Sequence, residues 1–174
     1  MIRSGRTKRY ATPNDGGSQC RTQKGTAEVR ISRRAEYALR ALVSLARNGK
    51  PLQIGELSRA ENIPVKFLEQ ILLSLRNDGL LASKRGVGGG YTLKVAPGKI
   101  QVGAVVRALD GPLAPLPCAV TKGDEVPCSC PDPRTCPIRI FMTHVHEEMN
   151  ALLDERTIED LAKMEVGEEL AFEI

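Results

Sequence analysis

The sequence predicts a mainly α-helical chain with one small β-hairpin: a winged helix-turn-helix domain plus a long C-terminal dimerisation helix. Three observations predict it. Apolar residues recur at helical spacing over 32–77 and again over 137–153. Between these stretches, "LLASKRGVGGGYTLKV" at 80–95 sets two strand-like runs about a basic, glycine-rich turn. Capping and turn residues stand where each helix must start and stop. The chain has 174 residues and is 41% apolar but only 3% aromatic, with no Trp, so its core must be aliphatic.

Ser32 is a suitable N-cap, and Ala38, Leu39, Leu42, Val43, Leu45 and Ala46 follow at helical spacing until Gly49 and Pro51 end the first helix. A short second helix is predicted over 54–61, with Ile54 and Leu57 inward. Asn62, Ile63 and Pro64 form a tight turn. A third helix starts at Pro64 or Val65, where proline is tolerated, and buries Leu68, Ile71, Leu72 and Leu75. It stops at Asn77, Asp78 and Gly79. The hairpin follows, then a short helix over 102–109 closed by Asp110 and Gly111. From Pro137, the residues Ile138, Phe141, Met142, Val145, Met149 and Leu152 form one apolar stripe. A lone amphipathic helix must bury such a face somewhere, which reads as a dimer seam. Thr157 with Asp160 resembles a capping box for a final short helix.

The segments divide as follows: 1–28 a disordered basic extension, 29–111 the winged domain, 112–137 a cysteine-rich loop, 138–162 the dimerisation region, 163–174 a flexible acidic tail. Residues 1–28 carry six basic side chains against two acidic ones, the whole net charge of +4. They read either as a DNA-binding arm or, preferred here, as a passive extension. The rest is balanced in charge, so any nucleic-acid surface must come from local clustering. No apolar run approaches the roughly 18 residues of a membrane helix, and the basic N-terminus lacks the apolar middle of a signal peptide. Both point to the cytoplasm and no membrane partner. No arrangement of residues suggests an enzyme.

Helix, turn, helix and glycine-tipped basic hairpin is the order of a winged DNA-binding domain. The third helix would then enter the major groove of double-stranded DNA through Lys66, Phe67, Glu69 and Gln70. Gln pairs with adenine, Glu accepts from cytosine, and an aromatic ring or a Lys stem touches thymine methyls. Lys84 and Arg85 would lie by the backbone or in the minor groove. Gly88, Gly89 and Gly90, with Gly86, would let the main chain approach phosphates. Each part also has a plain reading, as a solvated helix face or an ordinary hairpin; the order of the parts favours DNA.

Four of the five cysteines fall between 118 and 136 in the pattern C-x9-C-x-C-x5-C: Cys118, Cys128, Cys130 and Cys136. A structural disulfide framework suits neither the compartment nor the odd count. Structural zinc prefers paired C-x2-4-C knuckles, absent here. A proline-stiffened loop rich in thiols suits an iron–sulfur cluster. A thiol–disulfide switch, zinc and inert cysteines remain alternatives.

"VRISRRAEYALRALVSLA", "IPVKFLEQILLSLRNDGLL" and "SKRGVGGGYTLKV" resemble the Rrf-two family of winged helix-turn-helix transcription regulators, over about residues 29–162. The resemblance implies a homodimer joined by the long helix, binding a DNA operator, with Lys66, Phe67, Glu69 and Gln70 at groove-reading positions and Arg85 at the wing position. In sensing members a cysteine loop before the dimer helix holds a cluster, and the C-x5-C pair is matched by Cys130 and Cys136. Cys118 matches the first cysteine with a longer gap, and Cys128 is extra. The histidine that some members place three residues after the last cysteine is Arg139 here. His144 and His146 read as exposed helix residues. Glu36 falls where other members use a carboxylate from the partner subunit, although it also suits the positive end of the first helix. The function implied is a regulator, read as a repressor, that senses redox, iron or nitric-oxide status through a 2Fe-2S cluster, with 4Fe-4S as the other form. The alternatives are a cluster-free regulator under a thiol switch or protein partner, and, more remotely, a thiol- or metal-handling protein.

Overall fold

Ser32 caps the first helix, α1 (Arg33–Asn48), by accepting the Ala35 N–H on its hydroxyl at 3.1 Å. Its N–H and hydroxyl also donate to Asp110, far along the chain, at 2.8 and 2.5 Å. The computed structural model describes residues 31–86, 88–120, 132 and 134–164. The basic extension, Cys128, Cys130 and the tail beyond Met164 lie outside them.

Gly49 ends α1 in the left-handed conformation, at φ 62°, as a glycine cap should. The second helix, α2 (Ile54–Glu61), ends at Asn62, the one non-glycine residue with positive φ among those described. Asn tolerates this conformation, and Ser58 ties the turn by donating to the Ile63 carbonyl at 2.6 Å. The third helix, α3 (Val65–Asn77), begins one residue after Pro64. The Pro64 carbonyl receives the Phe67 and Leu68 amides, both at 3.0 Å. β1 (Leu81–Lys84) and β2 (Gly90–Leu93) then pair antiparallel, with Lys84 opposite Gly90.

Leu52, unassigned by the sequence reading, pairs with Tyr91 on the far edge of β2. This explains two of the hairpin glycines. A Cβ at Gly90 would collide with the Leu52 carbonyl, and one at Gly89 with the Lys84 carbonyl. Gly89 is buried. Both positions therefore need glycine for the hairpin's own packing. Of Gly88, Gly89 and Gly90, only Gly88 is exposed.

After α4 (Val102–Asp110) and a turn at Pro117–Ala119, the long helix α5 (Pro137–Glu155) leads into α6 (Ile158–Lys163). The core is aliphatic, as composition requires: Leu42 and Leu45 of α1, Leu57 of α2, Leu68, Ile71, Leu72 and Leu75 of α3, and Val105 of α4. Ile158 of α6 is 0% exposed in the same cluster. The sequence reading grouped this last helix with the dimerisation region. Instead the chain after α5 returns to the winged domain, where Val102 N–H donates to the Arg156 carbonyl and Ile158 N–H to the Ile100 carbonyl, both at 2.9 Å. The Thr157–Asp160 capping box is present, with Thr157 N–H on the Asp160 carboxylate at 2.8 Å. These bonds hold the Asp160 carboxyl below the usual carboxylate range, the Thr157 hydroxyl being the largest cause.

The face of the long helix that touches its own body carries a set of polar contacts. Arg139 donates to the Cys118 carbonyl at 3.2 Å, His146 to the Leu113 carbonyl at 2.6 Å, and Arg107 of α4 bonds Asn150 at 3.1 Å and Asp154 at 2.7 Å. The spacing of 139, 146, 150 and 154 places them on one face. The apolar stripe is part covered and part open: Met142, Val145 and Met149 are half-buried, whereas Ile138, Phe141 and Leu152 are 60, 62 and 49% exposed. His146 thus departs from the expectation of an exposed residue, because its ring finds a main-chain carbonyl. His144 does remain exposed.

Candidate nucleic-acid interface and cysteine centre

The period of α3 sorts its residues into two sets. Leu68, Ile71, Leu72 and Leu75 face the core, which leaves Lys66, Phe67, Glu69 and Gln70 exposed at its N-terminal end. Phe67 is not loose. Its ring meets Tyr37 of α1 edge-on, with centroids 5.7 Å apart and planes at 89°. Such a contact is worth about 0.5–1.5 kcal/mol beyond area burial. Tyr37 is in turn covered by the Arg40 guanidinium at 5.6 Å, and Arg40 is anchored to Glu61 at 3.2 Å.

Arg33, Tyr37, Pro64, Lys66, Phe67 and Gln70 together line an open hollow. Arg33 and Tyr37 went unnoticed in the sequence, since their part in this surface depends on α1 crossing α3. The alternation of α1 along two faces was the only signal for them. In the wing, Lys84 and Arg85 are exposed, and among the described residues neither makes a salt bridge. Charges left free in this way are available to phosphate oxygens.

The described cysteines are Cys118 and Cys136, both half-buried. They are separated by 18 positions. Cys136 occupies the N-cap of α5, and its carbonyl accepts the Ile140 N–H at 3.1 Å. Arg139, one turn on, grips the Cys118 carbonyl. The residue that replaces a histidine of sensing members is therefore a clamp between the two ends of the cysteine loop. Asp132 shapes the same approach: its carboxylate accepts the Arg134 N–H and the Thr135 hydroxyl, both at 2.9 Å. The Arg134 amide, then the Thr135 hydroxyl, hold its carboxyl below the ordinary range.

Among the described residues no group of three or more His, Cys, Asp or Glu side chains is arranged to hold a metal. Two of the four loop thiols, Cys128 and Cys130, lie outside those residues. The donor chemistry of the remaining two suits a thiolate-bound cluster. The N-terminus of α5 adds the positive end of a helix dipole, which suits an anionic ligand set. Glu36 is engaged by arginines of its own helix. It lies 3.3 Å from Arg33 and 3.5 Å from Arg40.

A short helix, a turn, a second helix with exposed polar residues at its start, and a basic hairpin define a winged helix-turn-helix protein. The chain belongs to the Rrf2 family: that family's model, described as an iron-dependent transcriptional regulator, matches residues 31–164. An rrf2-like HTH-type transcriptional regulator of Rhodobacter capsulatus is 41% identical over 137 residues, 75% of this chain and 91% of that protein. The structure of CymR, the global cysteine regulator of B. subtilis, superposes with a TM-score of 0.61 at 31% identity, covering 76% of this chain and 95% of the other. T. potens IscR gives 0.60 at 25% identity, covering 79% and 93%. The relatives are transcriptional regulators, not enzymes. No helix among the described residues is long and apolar enough to cross a membrane.

Proposed function

We propose that the protein is a cytoplasmic, homodimeric repressor that reads a DNA operator and senses redox, iron or nitric-oxide status through an iron–sulfur cluster. The observation that carries this is the Arg139–Cys118 bond beside Cys136, which brings both ends of a four-cysteine loop to the start of the long helix. The family's description as iron-dependent supports it. Cys118, Cys128, Cys130 and Cys136 would hold the cluster, 2Fe-2S rather than 4Fe-4S; Glu36 of the partner subunit would serve only if one thiol is spare. When bound, the cluster would supply a centre whose charge and ligation respond to oxidants, iron supply or nitric oxide.

The chain's own residues supply the rest. In this reading residues 29–111 bind DNA and the exposed stripe of Ile138, Phe141 and Leu152 is covered by the same stripe of a second chain. Lys66, Phe67, Glu69 and Gln70 enter the major groove, and Lys84, Arg85 and Gly88 meet the backbone or minor groove. The polar face of α5 fixes each DNA-binding domain to the dimer axis. A change in the loop that begins at Cys118 therefore resets the spacing of two recognition helices, a shift between binding and weak-binding dimers.

Protein purified without oxygen should be brown, with visible absorbance, iron and acid-labile sulfide. A colourless preparation that cannot be reconstituted refutes cluster sensing. The similarity to a global cysteine regulator and the four thiols of residues 118–136 favour one second reading, a thiol switch. It predicts DNA binding that responds to disulfide-forming oxidants in iron-free protein.

A further inference from the structure

An open hollow of about 490 Å³ lies between the start of α1 and the start of α3. Tyr37, Pro64 and Phe67 give it apolar walls, and Arg33, Lys66 and Gln70 bring its polar groups. We propose that this hollow is a thymine subsite: it takes the 5-methyl group of one thymine with the deoxyribose beside it, while Arg33 holds the adjoining phosphate. The subsite rests on the DNA-binding reading and deepens it, because two residues of α1, Arg33 and Tyr37, join those that read the operator.

Three observations select that occupant. The first is chemistry. The base edges in the major groove offer hydrogen-bonding groups with one exception, the thymine methyl. Glu69 and Gln70 answer the hydrogen-bonding groups, whereas an apolar wall at the same end of α3 matches thymine and no other of the four bases. Gln70, which lines the hollow, can hold the adenine of the neighbouring pair.

The second is rigidity. Phe67 is 40% exposed, yet its ring is held edge-on to Tyr37 at 5.7 Å. Arg40 covers Tyr37 at 5.6 Å, and Glu61 holds Arg40 at 3.2 Å. The wall thus stands in place before DNA arrives, which lowers the ordering cost of binding.

The third is charge. Arg33 and Lys66 are exposed, one on each helix that borders the hollow. Arg33 touches Glu36 at 3.3 Å, an exposed pair that water screens, so its guanidinium can turn to a phosphate. A free ligand is a poorer occupant. Small-molecule sites bury about 70–90% of their ligand, and an open hollow leaves most of it in water.

The test uses duplexes selected from a random library by the full chain, purified without oxygen, in loaded and cluster-free form. Deoxyuridine then replaces each thymine in turn, which keeps the base pair and removes only the methyl. At one thymine per half-site affinity falls about fourfold, the equivalent of about 0.8 kcal/mol for one buried carbon. F67A and Y37A bind the thymine and deoxyuridine duplexes equally; Phe67 is exposed, so F67A keeps the fold even where Y37A does not. R33A weakens both duplexes alike, lowers the salt slope by about 1 and retains the fourfold difference. A chain that selects no duplex refutes the DNA-binding reading and this subsite with it. Indifference to deoxyuridine at every position, or a difference that survives F67A, overturns the thymine subsite and leaves DNA binding standing.

Discussion

Ile158 joins the long helix to the DNA-binding domain, and its truncation to alanine has a calculable cost. The side chain is 0% exposed within the cluster that includes Leu42, Leu72 and Val105. Ile158→Ala removes three carbons, about 2.4 kcal/mol at about 0.8 kcal/mol per buried methylene, and leaves a cavity whose lining relaxes only in part. Buried Ile→Ala changes cost about 2–5 kcal/mol, so about 3 kcal/mol is expected. At about 2–4 °C per kcal/mol for a chain of this size, Tm falls by about 6–12 °C. The assay is a circular-dichroism melt at fixed protein concentration, with Ile158→Val as the graded control at about 0.5–1.5 kcal/mol. Operator affinity should fall as well, although Ile158 is far from the DNA-contact residues in sequence, because α6 returns the chain from α5 to α1. A Tm change under about 2 °C would refute the placement of α6 in the core.

The remaining predictions concern the interfaces. Gln70→Ala should cost about 1–3 kcal/mol and relax preference at one base pair, whereas Arg85→Ala should weaken binding across sequences and lower the salt slope by about 1. Specific binding by both variants at the unaltered level would show that the contacts are misassigned. Phe141→Asp buries a charge in the proposed seam and should shift the protein to monomer in sedimentation at micromolar concentration; an intact dimer would place the seam elsewhere. Asp132 has a depressed carboxyl, so its contribution to stability is full above the unfolded carboxylate range and lost as pH falls through the folded value. The difference in urea melts between the parent and Asp132→Asn should therefore shrink on acidification from neutral pH to pH about 3; a constant difference would remove Asp132 from the turn.

The helices of the winged domain were readable because local signals agree with tertiary ones. Ser32, Gly49 and Asn62 cap or turn the chain by their own backbone and side-chain preferences, and Leu68, Ile71, Leu72 and Leu75 mark one face by period alone. What escaped was long-range and polar. Arg139, His146 and Asn150 sit on a face that hydropathy assigns to water, and only the fold supplies Cys118, Leu113 and Arg107 as their partners. Leu52 contributes a single bridge, too short for any period. Gly89 and Gly90 were legible as required glycines, and the fold adds internal crowding as a reason that no local pattern shows. Of the cysteine site, the spacing was visible; the clamp between Cys118 and Cys136 was not, because nothing local marks an arginine as a clamp.

In the proposed regulator, the state of the cysteine loop sets operator affinity. This is tested most directly by one anaerobic titration of operator DNA, at fixed salt, with cluster-loaded protein, the same protein after cluster removal, and the Cys118→Ser/Cys128→Ser/Cys130→Ser/Cys136→Ser variant. Loaded and stripped protein should differ by about 5–150-fold, the usual range of such coupling, and the variant should match the stripped form. Identical affinities in all three would contradict it.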